Sequence, residues 1–363
     1  MLNFGNVKLL MHVSENKACK VLVTFFVIRI TEYLFKSGLR GGIAVKYDSE
    51  NLPHNLIHAA QDGKLVFFIG AGVSRLLGGY SWNDYALNKL NYLFKHHIIS
   101  FHDKERLSKL NSREVLSICD ILFKEKNISI PSEEDFLINS KQEEDKSSDV
   151  YQNLYSLNAI YVTTNYDNYL DQIALKTENE NDIKKDFEEN ERKVFFLDED
   201  MLISKLLVPG NIIHIHGGMK PEQFPVITIW DYINRYSQNK NLVEFLRYLF
   251  KEFCVLFIGY GLAEYEILEY IINVTERNSN KLDGKGINHF LLYPIFKEDN
   301  EFISDYLVKY YHRLGIELLT YEIDQNGYQE LENVVRTLTQ KLKNLYGEYH
   351  LSDKLKIFEG VPL

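Results

Sequence analysis

The chain has 363 residues, 45% hydrophobic and 25% charged, a composition typical of a globular protein with one large core or two small ones. Its formal net charge of −10 argues against broad binding of nucleic-acid phosphates, which requires clustered Lys and Arg. Cys19, Cys119 and Cys254 lie far apart without a CxxC pair. We therefore expect no disulfide framework and no metal site, and a reducing cytoplasm is the simplest location.

Residues 1–50 carry no clear motif and are interpreted as an N-terminal extension. Their apolar stretch VLVTFFVI, at 21–28, is shorter than the run of about 20 residues that spans a bilayer. It also lacks an obvious small-residue cleavage site. We therefore expect neither a membrane span nor a signal peptide. The stretch is interpreted as a buried element or an oligomer contact.

Regular secondary structure is predicted from residue 51 onward. The stretch 55–63 has the pattern of a short amphipathic helix, and Gly63 supplies a left-handed stop. The continuous apolar run KLVFFIG, at 64–70, is typical of a strand buried on both faces. Residues 82–94 again carry apolar side chains at helical spacing. A strand bounded by helices on either side predicts an α/β architecture.

Residues 100–150 differ from their surroundings and predict a helical insertion with an acidic, mobile segment near 139–149. Beyond them, strands and helices alternate. Strands are predicted at 161–164, 194–197, 211–217, 226–230, 254–261, 289–294 and 315–321. Helices are predicted at 242–253, 264–276, 301–314 and 328–342. This alternation predicts a doubly wound parallel sheet within one domain, 51–346, followed by a tail, 347–363.

Four of the predicted strands end in glycines or polar residues: FIGAGVS, VTTNYD, HIHGG and FIGYGL. Ligands of a doubly wound sheet bind beyond the carboxyl ends of its strands. In the first motif, Gly70 and Gly72 allow a tight turn whose amides approach a diphosphate, although a plain strand–helix turn also needs glycine. Arg75 stands where a dehydrogenase fingerprint has its third glycine, so hydride transfer is not expected.

The second and third motifs offer groups for acid–base chemistry. Asn165 and Asp167 follow a strand, and Asp167 has the alternative role of capping the next helix. His214 and His216 point to opposite faces if their strand continues through both. His216 stands before two glycines and is the better candidate for a general base, with a core or capping histidine as the alternative for either. No third metal ligand accompanies the pair.

In this order, GAGVS, TTNYD, HIHG and GYG resemble the motifs of the sirtuin superfamily over about residues 52–295. The resemblance implies a Rossmann-like fold and NAD+ as substrate. Thr164 stands where the family's TQN-x-D motif has Gln. The residues implied for NAD+ binding are Gly70, Ala71, Gly72, Ser74, Thr164, Asn165, Gly259, Tyr260 and Gly261. The residues implied for catalysis are Asn165, Asp167 and His216.

The sequence departs from the deacetylases of that superfamily in two places. Between 217 and 258 it has a single cysteine, Cys254, where those enzymes carry a four-cysteine zinc ribbon. After GAGVS and Arg75 it reads LLGGYSWNDY instead of a GIPDFR-type loop. That loop and the stretch 226–236 are similar to the zinc-free sirtuin-like domains of bacterial anti-phage defence proteins. The resemblance implies an NAD+ glycohydrolase that needs no metal.

Three alternatives stay open at this point: an acyl-lysine deacylase, a non-catalytic NAD+ or ADP-ribose-binding module, and a structural subunit. An NAD+-depleting enzyme also needs an inactive state. Control by self-assembly, or by a separate protein such as the HerA-type ATPase of some defence operons, is expected. The candidate contact surfaces are 1–50, 242–253 and 301–314, with core packing as the alternative for these segments.

Overall fold

A computed structural model of the chain describes its secondary structure over most of its length. The described residues are 45–48, 51–128, 136, 148–181, 193–197, 203–220, 223, 225–262, 264–279, 289–299 and 301–358. All of them belong to one unit, Ile43–Leu363. The stretch 21–28 and nearly all of 139–149 lie outside the described residues, so their predicted roles stay predictions.

Parallel strands form one sheet at the centre of this unit. They are β1 (Val45–Lys46), β2 (Leu65–Ile69), β3 (Ile160–Thr163), β4 (Val194–Phe196), β5 (Ile212–His214), β6 (Cys254–Ile258), β7 (His289–Ile295) and β8 (Ile316–Glu322). Their order across the sheet is β1-β8-β7-β6-β2-β3-β5-β4, and every pairing is parallel. After β2, the chain adds β3, β4 and β5 on one side of it and then β6, β7 and β8 on the other. This reversal creates a topological switch point at the carboxyl end of β2.

Helices connect the strands. They are α1 (His54–Gln61), α2 (Ala71–Ser74), α3 (Trp82–Lys95), α4 (Phe101–Leu107), α5 (Ser112–Glu125), α6 (Val150–Tyr155), α7 (Tyr169–Asn181), α8 (Ile203–Leu206), α9 (Ile229–Ile233), α10 (Lys240–Glu252), α11 (Tyr265–Ser279), α12 (Glu301–Arg313) and α13 (Glu330–Phe358). A π-helical turn, Asn234–Gln238, joins α9 to α10. The predicted doubly wound α/β class is confirmed.

The two faces of the sheet are covered by separate apolar layers. In β2, Leu65 and Phe67 belong to the layer that includes α1, α6 and α13, while Val66 and Phe68 belong to the layer with α10 and α11. All five residues of β2 are buried, as expected for a strand covered on both faces. The helical insertion has its own smaller core between α3 and α5.

Outside the candidate site, three sequence predictions differ from the structure. The segment predicted as a strand at 226–230 is a loop followed by α9. A capping box explains this, since Thr228 accepts from the Asp231 amide and Asp231 accepts from the Thr228 amide, fixing a helix start. β1 pairs with β8 although it lies within the predicted extension. The last helix continues past residue 346 to Phe358.

The segments proposed as contact surfaces are partly used inside the unit. Leu242, Phe245 and Leu249 of α10 are buried in the sheet-covering layer, and so is Val308 of α12. Tyr306, also on α12, is 57% exposed. Among the described residues, no helix combines the length and apolarity that crossing a membrane requires.

Candidate functional site

The four polar strand ends lie side by side at one edge of the sheet. β6, β2, β3 and β5 are consecutive neighbours in the strand order. Ile69, at the end of β2, is in register with Ile258 of β6 and Thr163 of β3, and Thr163 is in register with His214 of β5. Motifs separated by up to two hundred residues therefore emerge at one level, at the switch point of the sheet.

The two glycine motifs fit against each other through their backbones. The Gly72 amide donates to the Gly259 carbonyl at 2.8 Å, and the Gly70 amide donates to Ile258 at 3.0 Å. A Cβ on Gly72 would lie 2.7 Å from the Gly259 oxygen. Gly259 itself has φ +60, a left-handed conformation that favours glycine. The amides of Gly70 and Gly72 are thus engaged within the protein, whereas the turn was predicted to offer them to a diphosphate.

Asn165 is held rigidly at the end of β3. Its side-chain amide donates to the Gly70 carbonyl at 3.1 Å and to Ser74 Oγ at 2.8 Å. The opposite orientation of the carboxamide would place two oxygens together, so the network fixes which atom is nitrogen. Both amide hydrogens are committed, and Oδ1 has no hydrogen-bond partner among the described residues. Asn165 therefore offers an acceptor to a ligand.

Asp167 closes the same network from the other side. Ser74 Oγ donates to its carboxylate at 2.6 Å, and the buried Tyr151 hydroxyl donates to it at 3.4 Å. The Tyr169 amide, at the start of α7, also donates to Asp167 at 3.4 Å. Burial raises the pKa of this carboxyl, opposed by the bond from Ser74. Asp167 thus both supports the Asn165 network and contacts the helix start, so the two alternatives for it are compatible.

His214 contacts the backbone of Asn165. Its Nδ1 lies 3.2 Å from the Asn165 backbone carbonyl, and its Nε2 lies 2.9 Å from Asp171 Oδ1 on α7. Burial alone would lower the pKa of this imidazole, but the Asp171 carboxylate raises it above its usual value. β5 ends at His214, so the strand does not continue through both histidines as the sequence suggested. His214 is a positioning residue in the protein interior.

A cleft of about 560 Å³, its open mouth included, lies over these strand ends. Five residues singled out by the sequence line it: Ala71, Ser74, Thr164, Asn165 and Asp167. The rest of its wall is largely aromatic, with Tyr80, Trp82, Tyr166 and Tyr169 beside Gly79 and Met219. Flat apolar rings around a few fixed polar atoms are typical of a small-molecule site.

His216 does not line this cleft. The side chain is completely buried, with its ring 5.2 Å from Tyr232, 5.8 Å from Tyr236 and 6.5 Å from Tyr166 between ring centres. Tyr166 lines the cleft on one side and approaches His216 on the other. Its hydroxyl donates to the Val226 carbonyl in the segment that covers the histidine. The predicted base is therefore enclosed behind an aromatic wall.

We call the buried cluster of His216, Tyr166, Tyr232, Tyr236 and Glu264 the His216 enclosure. Glu264 Oε2 lies 3.4 Å from His216 Nε2. Although burial opposes ionisation, His216 and Arg113 hold the pKa of Glu264 below its usual value. Arg113 reaches in from α5, with its guanidinium 3.7 Å from the Tyr232 ring centre and 2.9 Å from Glu266. The insertion thus contributes to the enclosure.

Three predicted glycine-loop residues lie away from the cleft wall. Gly259 contacts the first glycine motif, and Tyr260 is buried between Phe68 and Phe257. Gly261 is exposed, with no atom within 4 Å of an added Cβ. The sequence did not identify Glu264, although an acidic residue just after this loop was a usable signal. Nothing local pointed to Tyr151 or Arg113, which arrive from other segments.

Two buried cysteines lie in the described part of the chain. Burial raises the pKa of the Cys119 and Cys254 thiols to about 12, so neither is a ready nucleophile. No group of three or more His, Cys, Asp and Glu side chains among the described residues is placed to hold a metal ion.

Comparison with known proteins gives two matches. Residues 159–314 match the family described as the SIR2-like domain. The chain is also 26% identical over 287 residues to Defense-associated sirtuin 2 of Bacillus subtilis. That alignment covers 76% of this chain and 25% of the relative, so the chain spans about a quarter of the relative's length.

Proposed function

Because residues 159–314 match the SIR2-like domain, we propose that the chain is an NAD+ glycohydrolase that releases nicotinamide and ADP-ribose, linear or cyclised. The observation that carries this proposal is the fixed Asn165 carboxamide in an aromatic cleft at the switch point of the sheet. A ribose hydroxyl or a water is the natural donor to its Oδ1, which no described residue engages. NAD+ also supplies flat rings, which match the walls formed by Tyr80, Trp82 and Tyr169.

The cleaved bond sets the demands on the protein. Positive charge spreads over the ribose as the nicotinamide leaves, and nicotinamide is already a good leaving group. Orientation and proton removal are therefore the main contributions left for side chains. Asn165 orients the ribose or the water without adding charge. His216 accepts a proton from the attacking group, a form of assistance typically worth about 10²–10⁴-fold.

The proposed role is that of an NAD+-depleting effector in defence against phage. Its support is the name of the Bacillus subtilis relative, a defense-associated sirtuin. The complete burial of His216 behind Tyr166 supports the need for activation, since the base has to gain access to the ribose. We propose that self-assembly or a partner, such as a HerA-type ATPase, supplies this change. Native mass and NAD+ turnover, measured together with and without the neighbouring gene's product, test this control.

Turnover itself is tested by incubating the purified protein with NAD+ and separating the products by chromatography. Asn165→Ala and His216→Ala are each expected to lower turnover about 10²–10⁴-fold. Asn168→Ala, the same change at an exposed position three residues on, is the matched control and should retain activity. No turnover by the wild type under any activating condition, or full turnover in both site variants, would contradict the proposal.

A deacylase is the second candidate, and the same assay separates it. Its product, O-acyl-ADP-ribose, would form only when an acylated peptide is supplied. The cysteine content argues against it, because Cys254 lies buried within β6 and is the single cysteine of the 217–258 interval. A non-catalytic module would bind NAD+ calorimetrically and give no product.

A further inference from the structure

The enclosed histidine is joined to a buried carboxylate that none of the sequence motifs included. His216 Nε2 lies 2.7 Å from the Tyr236 hydroxyl and 3.4 Å from Glu264 Oε2. The same hydroxyl donates to Glu264 Oε2 at 3.4 Å. Each of the three residues is less than a tenth exposed. An imidazole, a phenol and a carboxylate therefore share one set of hydrogen bonds shielded from water.

The protons available to this set decide which nitrogen of His216 carries hydrogen. An ionised carboxylate has none to donate, and a phenol has one, which Tyr236 donates to Glu264. The phenol oxygen at 2.7 Å then accepts from Nε2–H. Nδ1 keeps its lone pair and is buried without a hydrogen-bond partner in the described part of the chain. Such an assignment follows from the network of partners.

We propose that Glu264 and Tyr236 are positioning residues that hold His216 with its hydrogen on Nε2 and leave Nδ1 as the proton acceptor. The inference rests on the proposed function, since it names the supporting groups of that site. Both residues touch His216 rather than the substrate. A buried carboxylate that fixes the tautomer of a catalytic imidazole, and stabilises the imidazolium, is a recurrent device in hydrolases.

The proton and electron movements balance. The bond between ribose C1′ and the nicotinamide nitrogen breaks, and its electron pair goes to that nitrogen, which becomes neutral. The water oxygen forms the new bond to C1′, and one water proton passes to Nδ1 of His216. The Glu264 carboxylate stabilises the imidazolium until the proton passes to solvent. One water is consumed, and nicotinamide, ADP-ribose and one proton are released.

Titratable groups face His216 from each element packed against it. Tyr166 follows β3, Tyr232 lies on α9, Tyr236 lies in the π-helical turn, and Glu264 precedes α11. Burial raises the pKa of all three tyrosines well above the usual value, so they stay neutral near pH 7. The Arg113 cation lies beyond Tyr232. Glu264 is thus the carboxylate that stabilises a charged His216 most directly.

The kinetics of Glu264→Gln and Tyr236→Phe test the proposed positioning of His216, because each change keeps the shape of the side chain. We expect kcat to fall at least about tenfold, with KM for NAD+ little changed, because neither group touches the substrate. Glu264→Gln should also move the acid limb of the pH–rate profile to lower pH, since imidazolium loses its counter-charge. Glu269→Gln, on an exposed part of α11, is the matched control for the loss of a carboxylate.

A direct readout of the histidine keeps this test separate from that of the proposed function. Long-range ¹H–¹⁵N spectra, with His216→Asn to identify the signals, report which ring nitrogen carries hydrogen. We expect Nε2–H in the wild type and a shift toward Nδ1–H in Glu264→Gln. The proposed positioning is overturned if the wild type carries hydrogen on Nδ1. It is also overturned if Glu264→Gln leaves kcat and the pH profile unchanged. If the protein carries hydrogen on Nε2 but never turns over NAD+, the proposed positioning of His216 is supported and the proposed glycohydrolase function is overturned.

Discussion

The cleft around Asn165 and the His216 enclosure lie at neighbouring strand ends but are built differently. In the cleft, Asn165 is bound by Gly70 and Ser74, small groups that belong to the recognisable motifs. In the enclosure, His216 is surrounded by Tyr232, Tyr236 and Glu264, which come from segments outside those motifs, and by Tyr166 of the TTNYD motif. The first region is built from short turns at strand ends, whereas the second depends on how distant segments pack together.

Tyr166 separates the two regions. It belongs to the TTNYD motif, yet its ring faces both the cleft and His216. On the cleft side, the Asn165 carboxamide is fixed, and its Oδ1 has no hydrogen-bond partner within the described part of the chain. On the enclosed side, the proposed base His216 is completely buried. Under the proposed function, ligand binding and proton transfer depend on separate structural elements, and three substitutions test how separate these elements are.

The largest expected effect comes from the pair of His214 and Asp171, in which His214 also contacts the Asn165 backbone carbonyl. Because the pKa of His214 is raised, its contribution to stability is fully present below about pH 6.5 and is lost as pH rises through the folded-state pKa. In Asp171→Asn a buried imidazolium has no counter-charge, so stability falls instead as pH decreases. The variant should be less stable by about 3 kcal/mol at low pH, and the difference should shrink as pH rises.

This difference is measured by urea unfolding of Asp171→Asn and wild type between about pH 5.5 and pH 8.5, the range in which an imidazole titrates. Asp120→Asn removes the carboxylate of an exposed pair with Lys124 and should change stability by less than about 0.5 kcal/mol at any pH. A difference for Asp171→Asn that grows with pH would refute the assigned role of the pair.

A smaller effect is expected where the two glycine loops meet. Gly72→Ala places a methyl group 2.7 Å from the Gly259 carbonyl oxygen, a backbone atom that cannot rotate away. Alanine favours a helix over glycine by about 1 kcal/mol, but overpacking against backbone costs about 1–3 kcal/mol. Net destabilisation, and weaker NAD+ binding through the displaced loop, should follow. Thermal unfolding measures the loss of stability. Gly261→Ala is the control, since its added methyl group meets no atom within 4 Å.

The smallest effect concerns the contact between the helical insertion and the enclosure. Arg113→Lys keeps the charge but loses the planar group that stacks 3.7 Å from the Tyr232 ring centre. We expect a loss of about 1 kcal/mol in unfolding free energy. Arg106→Lys, the same change at an exposed position on α4, should be neutral within about 0.5 kcal/mol. Equal stability of the two variants would show that the insertion does not brace the enclosure.

Local patterns predicted most of the fold correctly. Continuous apolar runs marked β2 and β6, and helical spacing marked α3 and α10. The error at 226–230 arose because alternating Val, Thr and Trp resemble a strand, while the capping box of Thr228 and Asp231 sets a helix start. Two residues of β1 were missed because an edge pairing of that length leaves no periodic signal.

The sequence by itself determined the parallel α/β fold, because strand and helix periodicities are local, and it placed Asn165 just after a strand. Tertiary structure alone decided that His214 supports Asn165 while His216 is enclosed. That division depends on which distant groups, Asp171 for one and Glu264 for the other, reach each imidazole. Two histidines two residues apart thus acquire different roles from contacts that no local pattern encodes.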